Sequence, residues 1–229
     1  ERLIARLAAE GDGMTFGITI LLLAMHNRIV VAENAASLDW ITNGNYVLGV
    51  GLGYRPEEFE ALGVEFEQRV SRFEEAIPLI RRLWNEKSVT HHGRHFNISG
   101  LGASIKPKRA GGPPIWVGGD VIAAVQRAAK LNCPWIAPPT MTIREIVERV
   151  EVYRKISAEI NGNSVNEQPI IREVAIGKTK ADALRAARPA LLSKYEAYAS
   201  WGQTATKEQV SLSDSFDEFI KDRFIIGDE

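Results

Sequence analysis

The stretch from Tyr46 to Trp84, YVLGVGLGYRPEEFEALGVEFEQRVSRFEEAIPLIRRLW, constrains the fold more than any other part of the chain. It opens on an apolar run, Tyr46 to Val50, with the β-branched and aromatic bias of a buried strand. Gly49, Gly51 and Gly53 follow at intervals of two, where a backbone can turn or let another group lie against it. A polar loop, Tyr54 to Glu58, leads into an amphipathic segment. There Phe66, Val70, Phe73, Ile77, Ile80 and Trp84 recur at steps of three and four, one face of a helix. The unit is therefore strand, glycine loop, helix. In parallel α/β folds ligands collect beyond the carboxyl ends of strands, where such a loop sits.

The same alternation runs along the chain. Glu1 to Ala9 reads as the end of a helix with GDG at 11–13 as its exit. Phe16 to Leu23 is a nearly continuous apolar strand, the pattern of a strand covered on both sides. Ile29 to Trp40 reads as a helix and TNGN at 42–45 as a turn. Ser88 to Asn97 reads as a hairpin-like excursion and Lys106 to Pro114 as a connector. Ile115 to Val117 is a short strand stopped by Gly118 and Gly119, then a helix, Val121 to Leu131. Trp135 and Ile136 form a further short strand. Ile143 to Ile160 is helical, with NGN at 161–163 as its stop. Ile170 to Ile176 is a strand interrupted by Arg172 and Glu173. Lys180 to Ala199 is a helix that Pro189 is expected to kink or break. Trp201 to Ser215 is polar, Phe216 to Phe224 reads as a last helix, and a short apolar run ends at Gly227. Strands alternating with helices imply one parallel α/β domain over residues 1–229.

Composition sets the outer limits. Hydrophobic residues make up 45% of the 229, enough for a substantial core. Net charge is −1, from 28 basic and 29 acidic residues, which argues against an electrostatic nucleic-acid footprint. Cys133 stands alone, so no internal disulfide forms and a reducing, cytoplasmic setting is expected. No apolar run approaches the roughly 18 residues of a membrane span. The chain starts at Glu1 without an initiator Met, and further N-terminal sequence is expected.

The words LGVGLGYRPEEFEALGV, Arg72 with Glu74 and Glu75, and RRLW resemble the bacterial luciferase-like flavin-dependent monooxygenases. HNRIVVAENAASLD before them and PPIWVGGD after them match further family words in order. The resemblance covers nearly the whole chain. It implies a TIM-type (β/α)8 barrel, here without its first strands and its closing C-terminal region. It also implies an oxidoreductase using reduced FMN and oxygen on a small organic substrate, fed in turn by a flavin reductase. One branch of the same superfamily instead moves a hydride to or from a deazaflavin coenzyme of the F420 type. Homodimers are common among relatives, and the Ile29–Trp40 helix is apolar on more than one face.

Site residues follow by position. Leu52, Gly53 and Tyr54 border the flavin in the resembling enzymes; by themselves these glycines serve equally to pack a helix on the sheet. Gly118, Gly119, Asp120 and Val121 form a strand end before a helix, whose free N–H groups suit a phosphate, or else a tight turn. Thr19 and Ile20 lie against the flavin edge in relatives, sometimes through a backbone bulge. His26 lies just past that strand, as a loop histidine or a general base. Arg172 either pairs with a structural carboxylate or faces the barrel interior to meet an anion. Arg72 and Glu75 read as an ion pair one helical turn apart. His91, His92 and His95 lack metal-ligand spacing and read as a solvated loop. The chain departs from family words at Arg28 (a proline), Asn45 (an arginine), Val121 (a serine) and Val174 (often a histidine). Arg28, Asn45 and Val121 favour a non-catalytic flavin-binding or scaffold paralogue as a further alternative, and chemistry that depends on the histidine is not carried over to Val174.

Overall fold

The computed structural model describes residues 1–11, 13–162, 167–202 and 212–228, with 212–215 as backbone alone. Strands β1 (Phe16–Leu22), β2 (Tyr46–Gly51), β5 (Ile115–Gly118) and β6 (Trp135–Ile136) form a parallel sheet in the order β1-β2-β5-β6. A single parallel bridge, Ala137 to Ile170, carries the pairing one step beyond β6. β3 (Val89–His92) and β4 (Asn97–Leu101) form the antiparallel hairpin. β7 (Glu173–Gly177) and β8 (Phe224–Asp228) form a second parallel pair. The fold is α/β with parallel strands, as the alternating pattern predicts.

The helices are α1 (Arg2–Ala8), α2 (Arg28–Ile41), α3 (Pro56–Ala61), α4 (Arg69–Asn85), α5 (Ile122–Lys130), α6 (Ile143–Asn161), α7 (Lys180–Ser200) and α8 (Leu212–Phe219). Local chemistry sets several of their ends. The Asn27 side chain accepts the N–H groups of Ile29 and Val30 at 2.9 and 3.4 Å, which starts α2. Thr142 and Glu145 form a reciprocal capping box on α6, and Gly162 ends it in the left-handed conformation. The main core packs α2, α4, α5 and α6 on the sheet through Tyr46, Leu48, Phe73, Ile77, Trp135 and Tyr153. A smaller cluster around Tyr195, Phe216 and Phe219 joins α7 to α8.

Four details differ from the sequence reading. The loop after β2 contains α3, because Pro56 suits a first helical turn and needs no N–H there. The long amphipathic segment is divided, with a 3-10 turn at Phe66–Gln68 before α4. α7 runs unbroken through Pro189. The last helix lies earlier, at Leu212–Phe219, and the following apolar run is strand β8. The expected polar stretch from Trp201 to Ser215 lies in large part outside the described residues, as does Asn163 of the 161–163 stop.

β1 is covered on one side only, with Gly17, Thr19 and Ile20 exposed, because it is the outer strand of its sheet. The β7–β8 pair likewise presents Val174 beside Ile225, both more than half exposed, with Ile176 on the same face.

Candidate functional site

The register of the sheet places the end of β1 and the two glycine-bearing ends of β2 and β5 together. Leu22 stands beside Gly51, Val50 beside Val117, and Gly118 beside Ile136. His26 after β1, Gly53 after β2 and Gly119 after β5 therefore share one edge, as the parallel reading requires. Within β1 the register shifts between Ile18 and Leu21, so Thr19 and Ile20 form a bulge, and their peptide bond is cis.

The glycines around this bulge have a role that the sequence did not reveal. A Cβ added at Gly49 would run into the Ile18 carbonyl oxygen, and one at Gly51 would stand 2.9 Å from Ile20 Cγ2. A Cβ at Gly118 would overlap Ile20 Cδ1. Gly49, Gly51 and Gly118 thus make the bed on which Thr19 and Ile20 rest. Ile20 keeps about a third of its surface exposed at the edge, at 36%.

The loop after β2 is shaped by Gly53, whose φ of +82° is a left-handed value that favours glycine. A Cβ there would lie 3.0 Å from the Phe59 ring and 3.2 Å from the Met25 methyl, so the β1 and β2 loops pack on each other. Leu52 is half-buried and Tyr54 is exposed. Burial, then the neighbouring Tyr198 and Glu58, raise the Tyr54 pKa above the ordinary phenol value, and Arg55 opposes them. Tyr54 therefore stays a neutral hydroxyl near pH 7. Arg55 stands 5.0 Å from the Trp201 ring and pairs with Glu58 at 3.0 Å. Tyr198 and Trp201, at the end of α7, thus reach the β2 loop. Sequence reasoning missed both, because they lie some 150 positions from Tyr54 and no short-range pattern connects them.

At the third loop the Gly119 carbonyl accepts the Trp135 indole N–H at 2.8 Å, which pins the turn from inside. α5 then starts without a side-chain cap, since Val121 occupies the cap position. Among the described residues the N–H groups of Ile122 and Ala123 meet no acceptor, while Ala124 N–H donates to Val121 O at 2.9 Å. Val121, Ile122 and Ala123 are exposed. Two free donors and the positive end of the helix dipole therefore face outward. Arg149 of α6 reaches the same turn, with Nε 3.5 Å from the Asp120 carbonyl oxygen. Asp120 itself adds a negative charge beside those donors. Gly119 has a second duty: its Cβ would stand 2.5 Å from Ala124 Cβ, so glycine is needed there for α5 to pack.

The two residues expected to carry chemistry are placed differently from one another. His26 is exposed, and its ring makes no hydrogen bond among the described residues. Arg172 precedes β7 instead of lying within it, because pairing with β8 starts at Glu173. Ile170 pairs beside Ala137, just past the end of β6, so Arg172 runs on beyond that strand end. Its Nη1 donates to the Ile171 carbonyl at 3.1 Å, and its Nη2 is buried without a partner. Glu173 is taken by Lys194 and Tyr195, so Arg172 has no carboxylate partner among the described residues.

Two further readings are corrected. Glu75 does not pair with Arg72; its carboxylate accepts from His91 Nε2 at 2.8 Å and from the His95 and Phe96 N–H groups at 3.0 and 3.1 Å. Arg72 Nε donates instead to the Ala24 carbonyl at 3.2 Å. His91 and His95 are accordingly fixed and not solvated, His95 through Ser71 Oγ at 2.8 Å. An arginine does hold the turn before β2, although position 45 is Asn: Arg109 donates to the Gly44 carbonyl, and its N–H to Asp39 at 2.7 Å.

Comparison with known proteins adds the following. A family model described as luciferase-like monooxygenase matches residues 3–224. A curated relative from Mycobacterium kansasii, named phthiodiolone/phenolphthiodiolone dimycocerosates ketoreductase, is 29% identical over 174 residues, 74% of this chain and 47% of its own. The chain spans about half the length of the curated relatives of this name that it matches. The oxygenating constituent of 3,6-diketocamphane monooxygenase from Pseudomonas putida, solved with FMN, superposes with a TM-score of 0.77 at 18% identity, covering 99% of this chain and 69% of that one. An F420-dependent secondary alcohol dehydrogenase, solved with an F420–acetone adduct, gives 0.79 at 16% identity, covering 100% and 70%. At these identities the two structures establish a shared fold.

Proposed function

Because the chain belongs to the luciferase-like monooxygenase family, we propose that its sheet edge holds the ring cofactor of an oxidoreductase acting on a small organic substrate. The observation that carries this reading is the free N–H pair of Ile122 and Ala123 on the same edge as the Ile20 bulge and the Gly53–Tyr54 loop. The residues fit a flavin or deazaflavin. The start of α5, with Arg149 behind it, takes the phosphate. Ile20, Leu52 and Tyr54 give the ring an apolar and aromatic border. When bound, the cofactor supplies the two-electron chemistry. Tyr54 offers a neutral hydroxyl as a hydrogen-bond donor, Tyr198 and Trp201 stand beside the β2 loop, and Arg172 offers an unmatched cation for an anionic group.

Two finer readings divide on the cofactor. The family reading is a monooxygenase using reduced FMN, supplied by a flavin reductase, and oxygen. The second is hydride transfer on a carbonyl with a deazaflavin: the name of the 29% identical relative, a ketoreductase, supports the carbonyl, and the F420-dependent alcohol dehydrogenase of the same fold suggests the cofactor. Parallel titration of the full-length protein with FMN and with F420 separates them. Binding of FMN with substrate-dependent oxygen uptake supports the first, and binding of F420 with substrate-dependent change in its absorbance the second. Ile122→Pro is the decisive variant. Val121 already has the extended backbone that precedes proline, at φ −86° and ψ 152°, so α5 keeps its start while one donor is lost. Affinity should fall about tenfold or more, one charge-assisted hydrogen bond being worth about 1.5–3 kcal/mol. Val121→Ser should add a hydroxyl donor to the phosphate and tighten binding by about 1 kcal/mol. If neither cofactor binds the natural protein but one binds Val121→Ser, the scaffold reading replaces the enzyme.

A further inference from the structure

A cavity of about 230 Å³ lies away from the loops after β2 and β5, between the start of α2, α4 and the β3–β4 hairpin; Asn27, Arg28, His95, Phe96 and Asn97 are among its walls. Arg28 is only 7% exposed, and its Nε and Nη2 are buried without a hydrogen-bond partner among the described residues. Its guanidinium lies 3.2 Å above the Phe96 ring. Arg72 stands 5.3 Å from the same ring.

Three costs meet at Arg28. A buried cation needs an acceptor, and a ring face satisfies none of its N–H groups. Arg28 is the first residue of α2, where the helix dipole is positive, and Asn27 is occupied in capping Ile29 and Val30. Arg72 adds a second positive charge. The carboxylate that opposes them, Glu75, has both oxygens engaged by His91, His95 and Phe96.

We propose that this cavity is a binding site for a small oxyanion, a phosphate or carboxylate carried free or on a small metabolite, with Arg28 as its main ligand. One anion relieves all three costs. Arg28 Nε and Nη2 reach it once the guanidinium turns from the Phe96 face toward the cavity, where its planar fork matches two oxygens. The side chains of Asn27, Asn97 and His95 supply further polar contacts at the wall. Its walls share no residue with the loops after β2 and β5 but begin at Asn27, directly after His26, so competition with the cofactor is part of the test.

The test is an amide NMR titration of the full-length protein with inorganic phosphate at constant ionic strength, against chloride, with glycerol phosphate and succinate in parallel. Saturable shifts at His95, Asn97 and Ile98 are expected with at least one oxyanion, and the preferred one identifies its source. Arg28→Gln should weaken binding at least tenfold. Arg28→Lys, which keeps the charge and loses the fork, should weaken it about threefold and serves if the glutamine variant does not fold. Absence of saturable shifts at these amides with all three oxyanions would overturn the proposal. So would an unchanged affinity in a folded Arg28 variant, or displacement of the anion by FMN or F420, which would make it part of the cofactor site.

Discussion

At the scale of the residue, the glycines of this chain are individually assigned by what lies against them. Gly49 faces a backbone oxygen of β1, whereas Gly118 faces the end of the Ile20 side chain. A side chain can rotate away and a strand backbone cannot. Gly49→Ala should therefore cost about 1–3 kcal/mol by overpacking, and Gly118→Ala distinctly less. Urea unfolding of both variants checks the order. Gly118→Ala should also disturb the edge where Ile20 is exposed, so its effect belongs more to cofactor affinity than to stability. Gly119 is unsuited to testing the phosphate contact, because any larger residue first collides with Ala124.

At the scale of the element, the β3–β4 hairpin hangs on one carboxylate. Burial works to raise the Glu75 pKa, but hydrogen bonds from the His91 side chain and from the His95 and Phe96 N–H groups outweigh it and hold the pKa below the ordinary carboxylate value. The folded pKa is depressed, so this stabilisation is present above the unfolded value, roughly 4.3, and is lost as pH falls through the folded value. Protection from hydrogen exchange at His95 and Phe96, relative to the intrinsic rate at each pH, should fall in that acid window, and Glu75→Gln should remove the pH dependence and cost about 2–3 kcal/mol. α7 gives a converse prediction. Pro189 inside it leaves one helical hydrogen bond unmade, and Pro189→Ala should raise stability by about 1–3 kcal/mol in thermal unfolding.

At the scale of the whole molecule, α1 and α2 present an unpartnered apolar surface. Val30, Trp40 and Ile41 are each half exposed or more, at 53%, 55% and 50%, and Leu3 of α1 at 69%. A homodimer packed on this face is the expected assembly, with the helix α2 against both its own sheet and its partner. Light scattering of the complete protein should give twice the chain mass, and Val30→Glu should lower it. A monomer at micromolar concentration would count against the assembly.

Residue pattern alone carries the alternation of strands and helices, the parallel sheet and the glycines at the ends of β2 and β5, though not α3 or β8. Those are consequences of periodicity and of backbone freedom, which act over a few residues and are written in short words such as LGVGLGY and WVGGD. The free N–H groups at the start of α5 were legible for the same reason. What those residues touch is set by packing. Glu75 takes the hairpin and not Arg72, Gly49 and Gly51 receive the β1 bulge, and Tyr198 and Trp201 arrive at Tyr54. Arg28 acquires its unmatched charge because Phe96 closes over it. Each of these pairings joins residues far apart in the chain, and their energies depend on burial and approach. Local pattern carries neither quantity, since both are set by how the layers pack.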